Sequence, residues 1–203
     1  MAPVVPVIVI NDLDHAIPMA QALVQGGIPV LEVTLRTPQG LEAIRRIKAE
    51  VEGAVVGAGT VTNIKQLDDA LSAGSEFIVT PGVTPTLLDA GVSCGVPFLP
   101  GIATVGEMMS CMEKGLTTLK FFPAEANGGA AALKAIGGPF PEMSFCPTGG
   151  IGPKNIAEYL ALKSVKSVGG SWLTPNNVMS ENNWQGITDL ATEACQLVRT
   201  LRG

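Results

Sequence analysis

The stretch TTLKFFPAE, residues 117–125, holds a lysine in the middle of an apolar run that a proline closes. It reads as a short strand over residues 117–122. Side chains alternate across a strand, so Thr118, Lys120 and Phe122 share one face while Thr117, Leu119 and Phe121 share the other. Lys120 therefore stands where a core residue normally stands. Withdrawing an ammonium group from water favours the neutral amine, and a neutral amine is a nucleophile toward carbonyl carbon. The plain alternative is a strand-end lysine that snorkels to solvent or pairs with a carboxylate.

Outward from this strand, the chain alternates short β-branched or apolar runs with helical patterns, and it does so eight times. The runs fall at residues 4–10, 30–35, 54–58, 77–80, 97–99, 117–122, 143–146 and 167–168. Helix starts are marked by Thr37 before Pro38, Asn63, Thr84 before Pro85, the capping-box pair Thr104 and Glu107, and Pro153. Helical patterns cover about residues 13–24, 129–136 and 183–201. Eight such units in 203 residues predict an α/β fold, a (β/α)8 TIM barrel occupying the whole chain as a single domain, rather than an open doubly wound sheet. A barrel requires functional groups at the C-terminal ends of strands, on the inward-facing parity.

Composition narrows the chemistry. Hydrophobic residues make up 46% and charged ones 15%, with a net charge of -5 and no Lys/Arg cluster, so nucleic acid is not an expected partner. No apolar run approaches the roughly 20 residues that cross a bilayer, and no basic residue precedes the apolar N-terminal stretch as in a signal peptide. A soluble cytoplasmic protein without a membrane partner is expected. The four cysteines are far apart and read as reduced, mostly buried thiols. With His15 the only histidine, a His-ligated catalytic metal or a Ser-His or Cys-His pair would have to use His15 itself, and no metal or cofactor is expected.

The remaining candidates meet the barrel's demand. In VLEVTLR, Glu32, Thr34 and Arg36 fall at spacing two, opposite Leu31, Val33 and Leu35, and are assigned to the lumen. Glu32 is a proton acceptor and donor for a lysine amine, and Arg36 offers a planar fork for a substrate carboxylate; a mutual Glu32–Arg36 ion pair is the alternative. The third strand ends in GAGTV with Thr60, and the seventh runs into Thr148, Gly149 and Gly150. That TGG and the GGS of Gly169, Gly170 and Ser171 together suggest a phosphate cradle, because barrels commonly bind phosphate with backbone N–H groups from these two loops. A nucleophilic lysine, a carboxylate, an arginine and a phosphate cradle suggest imine chemistry on a phosphorylated keto acid, the logic of a metal-free aldolase.

The segments VVPVIVI, VLEVTLRT, VVGAGTV, KFFPAEANGG, GPFPEMSFCPTGGI and GGSWL closely resemble the bacterial 2-keto-3-deoxy-6-phosphogluconate (KDPG) aldolases of the Entner-Doudoroff pathway, from about residue 3 to residue 200. The resemblance implies a class I aldolase, usually a homotrimer of (β/α)8 subunits, splitting the sugar acid into pyruvate and glyceraldehyde 3-phosphate. Position by position, it implies Lys120 as the Schiff-base lysine and Glu32 as the general acid/base. It implies Arg36 and Thr60 at the pyruvyl carboxylate, Thr148 at the hydroxyl-bearing chain, Gly149, Gly150, Gly170 and Ser171 at the phosphate, and Phe122 as an apolar wall. Only Met1 to Pro3 precede the first strand, where family members often begin with a helix that closes the barrel floor. Ile10 and Asn11 stand where some relatives carry a basic residue, so phosphate binding is expected to rest on backbone donors and to leave room for 4-hydroxy-2-oxoglutarate as a second substrate. Taken without the resemblance, the same residues also fit a sugar-phosphate isomerase or epimerase, or a non-catalytic phosphometabolite-binding protein.

Overall fold

The computed structural model describes residues 3–202. Strands β1 (Val4–Ile8), β2 (Val30–Thr34), β3 (Val55–Gly59), β4 (Ile78–Val79), β5 (Phe98–Leu99) and β9 (Val168–Gly170) form one sheet in the order β5-β4-β3-β2-β1-β9. A second sheet holds β6 (Gly101–Ile102), β7 (Thr118–Phe121) and β8 (Ser144–Pro147) in sequence order. Each ladder in both sheets is parallel, as chains of strand and crossover helix require. The expected fifth strand, residues 97–99, is β5; β6 was not expected and follows Pro100, which has no N–H to continue a ladder. Isolated parallel bridges pair Phe145 with Val165 and Thr148 with Gly169, beside β8 and β9.

The crossovers are α1 (Ala16–Gln25), α2 (Gly40–Glu50), α3 (Ile64–Ser72), α4 (Pro85–Val92), α5 (Val105–Glu113), α6 (Gly129–Ile136) and α7 (Ile156–Leu160), followed by α8 (Asn176–Ser180) and α9 (Trp184–Arg202). Strand parity decides what they cover. Leu31 and Val33 of β2 and Leu119 and Phe121 of β7 are buried in a core shared with Leu23, Ile44, Leu67, Met108 and Ile187 of the helices. Burying side chains of this size contributes about 1.5–3 kcal/mol each. The opposite parity, with Glu32 and Lys120, is left for the interior of the sheets.

Three of the expected helix starts form as written. The Asn63 side chain accepts from Gln66 N–H at 2.9 Å and Thr84 Oγ1 from Leu87 N–H at 3.2 Å. Thr104 and Glu107 complete a capping box at the start of α5. Thr104→Ala is expected to lower unfolding free energy by about 1 kcal/mol, read from the urea midpoint. Thr37 is a correction. It does not cap α2, which begins at Gly40 behind Gln39; its hydroxyl instead donates to the Ile10 carbonyl, next to Thr34, whose hydroxyl donates to Ile8 O at 2.8 Å. The Thr37 hydroxyl is thus tied to the chain just after β1, and α2 starts three residues later without a side-chain cap.

The other departures concern ends. β1 stops at Ile8 rather than residue 10, β8 reaches Pro147, and β9 runs to Gly170 instead of ending at residue 168. The helix expected at Pro153 begins at Ile156, and α8 had no counterpart in the sequence reading. Among the described residues, no helix is long and apolar enough to cross a membrane.

Candidate active site

Glu32 is the third residue of β2 and Lys120 the third of β7. Neighbouring strands hold small partners beside them: Glu32 is in register with Val7 and Gly57, and Lys120 with Gly101 and Cys146. The two long polar side chains meet across this interior. Lys120 Nζ donates to Glu32 Oε1 at 3.2 Å, with side-chain exposures of 4% and 3%. The amine also lies 5.3 Å from the centre of the Phe122 ring. Two buried charges make a tolerable pair only when each supplies the other's counter-charge and hydrogen bond. The alternative Glu32–Arg36 pair is not formed; Arg36 Nε donates to Thr60 Oγ1 at 3.3 Å instead.

The space for Glu32 comes from β3. A β-carbon on Gly59 would collide with the Glu32 carboxylate, which packs directly over that residue. Gly59→Ala is expected to push the carboxylate off the amine and lower turnover about 100-fold, since displacements of about 1 Å at a reacting centre have effects of that size. Rates of keto-acid cleavage in the variant and parent check it. Cys146 is also buried here, and burial pushes its thiol up despite an opposing hydrogen bond with Ser167, so it is a neutral bystander and not a second nucleophile.

Two cavities meet at Thr148. One, of about 230 Å³, has Lys120, Glu32 and Cys146 among otherwise mostly apolar walls such as Val79 and Leu99. The other, of about 250 Å³, is walled by Arg36, Phe122 and Thr148 and by Gly149, Gly150, Gly170 and Ser171. Nine of the ten residues to which the resemblance assigns a role thus line at least one of the two cavities, and the tenth, Thr60, touches Arg36. Gly149 and Gly150 have φ of 103° and 78°, a left-handed backbone that side chains rarely adopt. Among the described residues, no group of three or more His, Cys, Asp or Glu side chains could hold a metal ion.

A chain of this architecture, with this pair at its centre, has close relatives. The family profile for KDPG and KHG aldolase matches residues 1–190. The chain belongs to that family. It is 58% identical over 192 residues to the 2-dehydro-3-deoxy-phosphogluconate aldolase of Dickeya dadantii (strain 3937), covering 95% of this chain and 90% of the relative. It is 55% identical to the KHG/KDPG aldolase of Escherichia coli (strain K12), covering 96% and 91%. Among solved structures, the KDPG aldolase of Legionella pneumophila, with pyruvate captured at low pH as a covalent carbinolamine intermediate, superposes with a TM-score of 0.92 at 48% identity, covering 94% of this chain and 93% of that one. Membership of the KDPG and KHG aldolase family makes the buried lysine the first group to consider for chemistry.

Proposed function

We propose that this chain is a class I aldolase that cleaves KDPG to pyruvate and glyceraldehyde 3-phosphate, and 4-hydroxy-2-oxoglutarate to pyruvate and glyoxylate. The single observation that carries the reading is the buried Lys120–Glu32 contact at 3.2 Å, in a family with a member whose pyruvate is held as a carbinolamine. In the proposed cycle Lys120 Nζ, relieved of a proton by Glu32, bonds to the keto carbon. The carbinolamine then loses its oxygen as water, leaving a protonated imine. The electrons of the bond beyond the adjacent carbon flow into that imine as Glu32 takes the hydroxyl proton, so an aldehyde leaves and an enamine remains. Protonation of the enamine carbon and hydrolysis return pyruvate and the free amine.

The other assignments follow the second cavity. Arg36, with Thr60 beside it, binds the pyruvyl carboxylate; Thr148 contacts the hydroxyl-bearing chain; Phe122 is the apolar wall; and Gly149, Gly150, Gly170 and Ser171 hold the phosphate. We also read the two sheets as one eight-stranded (β/α)8 barrel and a single domain. This is supported by the direct run from β5 through Pro100 into β6, and by the bridges that pair residues beside β8 and β9. A homotrimer in solution is supported by exposed apolar side chains on three consecutive helices, Ile64 of α3, Val92 of α4, and Val105 and Met109 of α5. Light scattering should then give three times the chain mass of 20.9 kDa. The test of the activity is pyruvate release from KDPG. An isomerase or epimerase on this scaffold would consume the substrate without yielding pyruvate, and a non-catalytic binding protein would leave it intact.

A further inference from the structure

The loop after β8 is built as a row of fixed peptide planes. The carbonyl of Thr148 accepts from Ala124 N–H at 2.8 Å and that of Gly149 from Glu125 N–H at 3.1 Å. Among the described residues, the carbonyl of Gly150 has no backbone donor of this kind. It accepts from the side chain of Asn155, Nδ2 to oxygen 3.0 Å, while Asn155 Oδ1 accepts from Gly152 N–H at 2.9 Å. The carboxamide therefore straddles Ile151 and holds the chain on both sides of it.

In a trans peptide the C=O and the following N–H point in opposite directions. Holding three successive carbonyls on one side thus turns the N–H groups of Gly149, Gly150 and Ile151 to the other. All three residues line the 250 Å³ cavity; the Gly149 N–H is turned toward Gly169 in the parallel bridge beside it, while among the described residues the N–H groups of Gly150 and Ile151 donate to no backbone carbonyl in this loop. Adjacent amides on one side of a loop are an oxyanion-binding surface. The clamp is itself anchored. The Glu125 stem lies where a β-carbon on Gly150 would fall, and its carboxylate accepts the hydroxyl of Tyr159, a fully buried residue of α7, the short helix that Asn155 directly precedes.

We propose that Asn155 is a positioning residue that determines specificity for phosphorylated substrates: it fixes the third peptide of an amide nest whose first two peptides the backbone of residues 124–125 holds. This rests on the reading of the second cavity as the phosphate site. Asn155 touches neither the amine nor Glu32, so its removal leaves bond cleavage intact and weakens only the grip on the phosphate.

The test compares the parent, Asn155→Ala and Asn155→Asp on KDPG and on the same keto acid without phosphate, 2-keto-3-deoxygluconate, with inorganic phosphate as inhibitor. The aspartate keeps the acceptor for Gly152 and loses the donor to Gly150, so it guards against a misfolded alanine variant. Both variants should raise KM for KDPG about tenfold and weaken phosphate inhibition equally, with kcat and the phosphate-free substrate changed less than about twofold, since a carbonyl left unpaired loosens one peptide only. A phosphate-sensitive parent whose variants match it, or variants that lose both substrates alike, overturns the role of Asn155 alone. A parent that ignores phosphate and treats both keto acids equally overturns the phosphate site, and the inference with it.

Discussion

Replacing Lys120 by alanine is expected to lower kcat/KM for pyruvate release from KDPG by at least about 10⁵-fold, a loss of roughly 7 kcal/mol at 1.36 kcal/mol per tenfold. No other described amine lies against Glu32, so the variant has no route to an imine at this site. The substitution also acts on stability. It strands the Glu32 carboxylate at 3% exposure without its counter-charge, and breaking a buried pair in this way destabilises by about 3–5 kcal/mol. Lys120→Ala combined with Glu32→Gln is therefore expected to unfold at a higher urea concentration than Lys120→Ala alone while remaining just as inactive. Equal midpoints would show that the carboxylate is not held in the interior by the lysine.

Glu32→Gln separates the two roles of the pair. The amide keeps the shape and a hydrogen-bond acceptor for Lys120 but cannot shuttle protons, so kcat is expected to fall by about 10²–10⁴. KM for the keto acid should move little, because Arg36 and the amide nest are untouched. Stopped turnover with pyruvate still slowly captured on Lys120 is the expected signature; full activity would transfer the proton work to another group. Thr148 would then be the first to test, since it lines both cavities and its hydroxyl donates to Cys146 O at 3.4 Å.

The centre of the site was legible because it depends on periodicity. A lysine and a glutamate on the inward parity of two strands can reach each other only if those strands face one another, and a repeated strand-helix pattern arranges that. Lys120 takes the Glu32 carboxylate, and Arg36 turns to Thr60 instead. What the residues did not reveal lies in loops. Asn155 is one polar residue among several after PTGGIG, and its value depends on the path that brings Gly150 O and Gly152 N–H within reach of one carboxamide. Thr37 misled for a related reason: a local capping rule does not see the Ile10 carbonyl just after β1, which only the assembled fold brings to its hydroxyl. Pro100 was visible, but not that the chain would pair again beyond it, as β6 in a different ladder from β5. Gly59 gave no signal beyond a small residue in GAGTV, and its role appears only when the Glu32 carboxylate is found packed over it.

The central claim is that Lys120 forms the covalent bond to substrate. Incubating the enzyme with pyruvate, reducing with borohydride and mapping the peptides by mass spectrometry tests it most directly. The prediction is one pyruvate-derived increment, confined to the peptide carrying Lys120 and absent from Lys120→Ala. An unmodified Lys120 in an enzyme that still releases pyruvate from KDPG, or the increment on a different lysine, would contradict it.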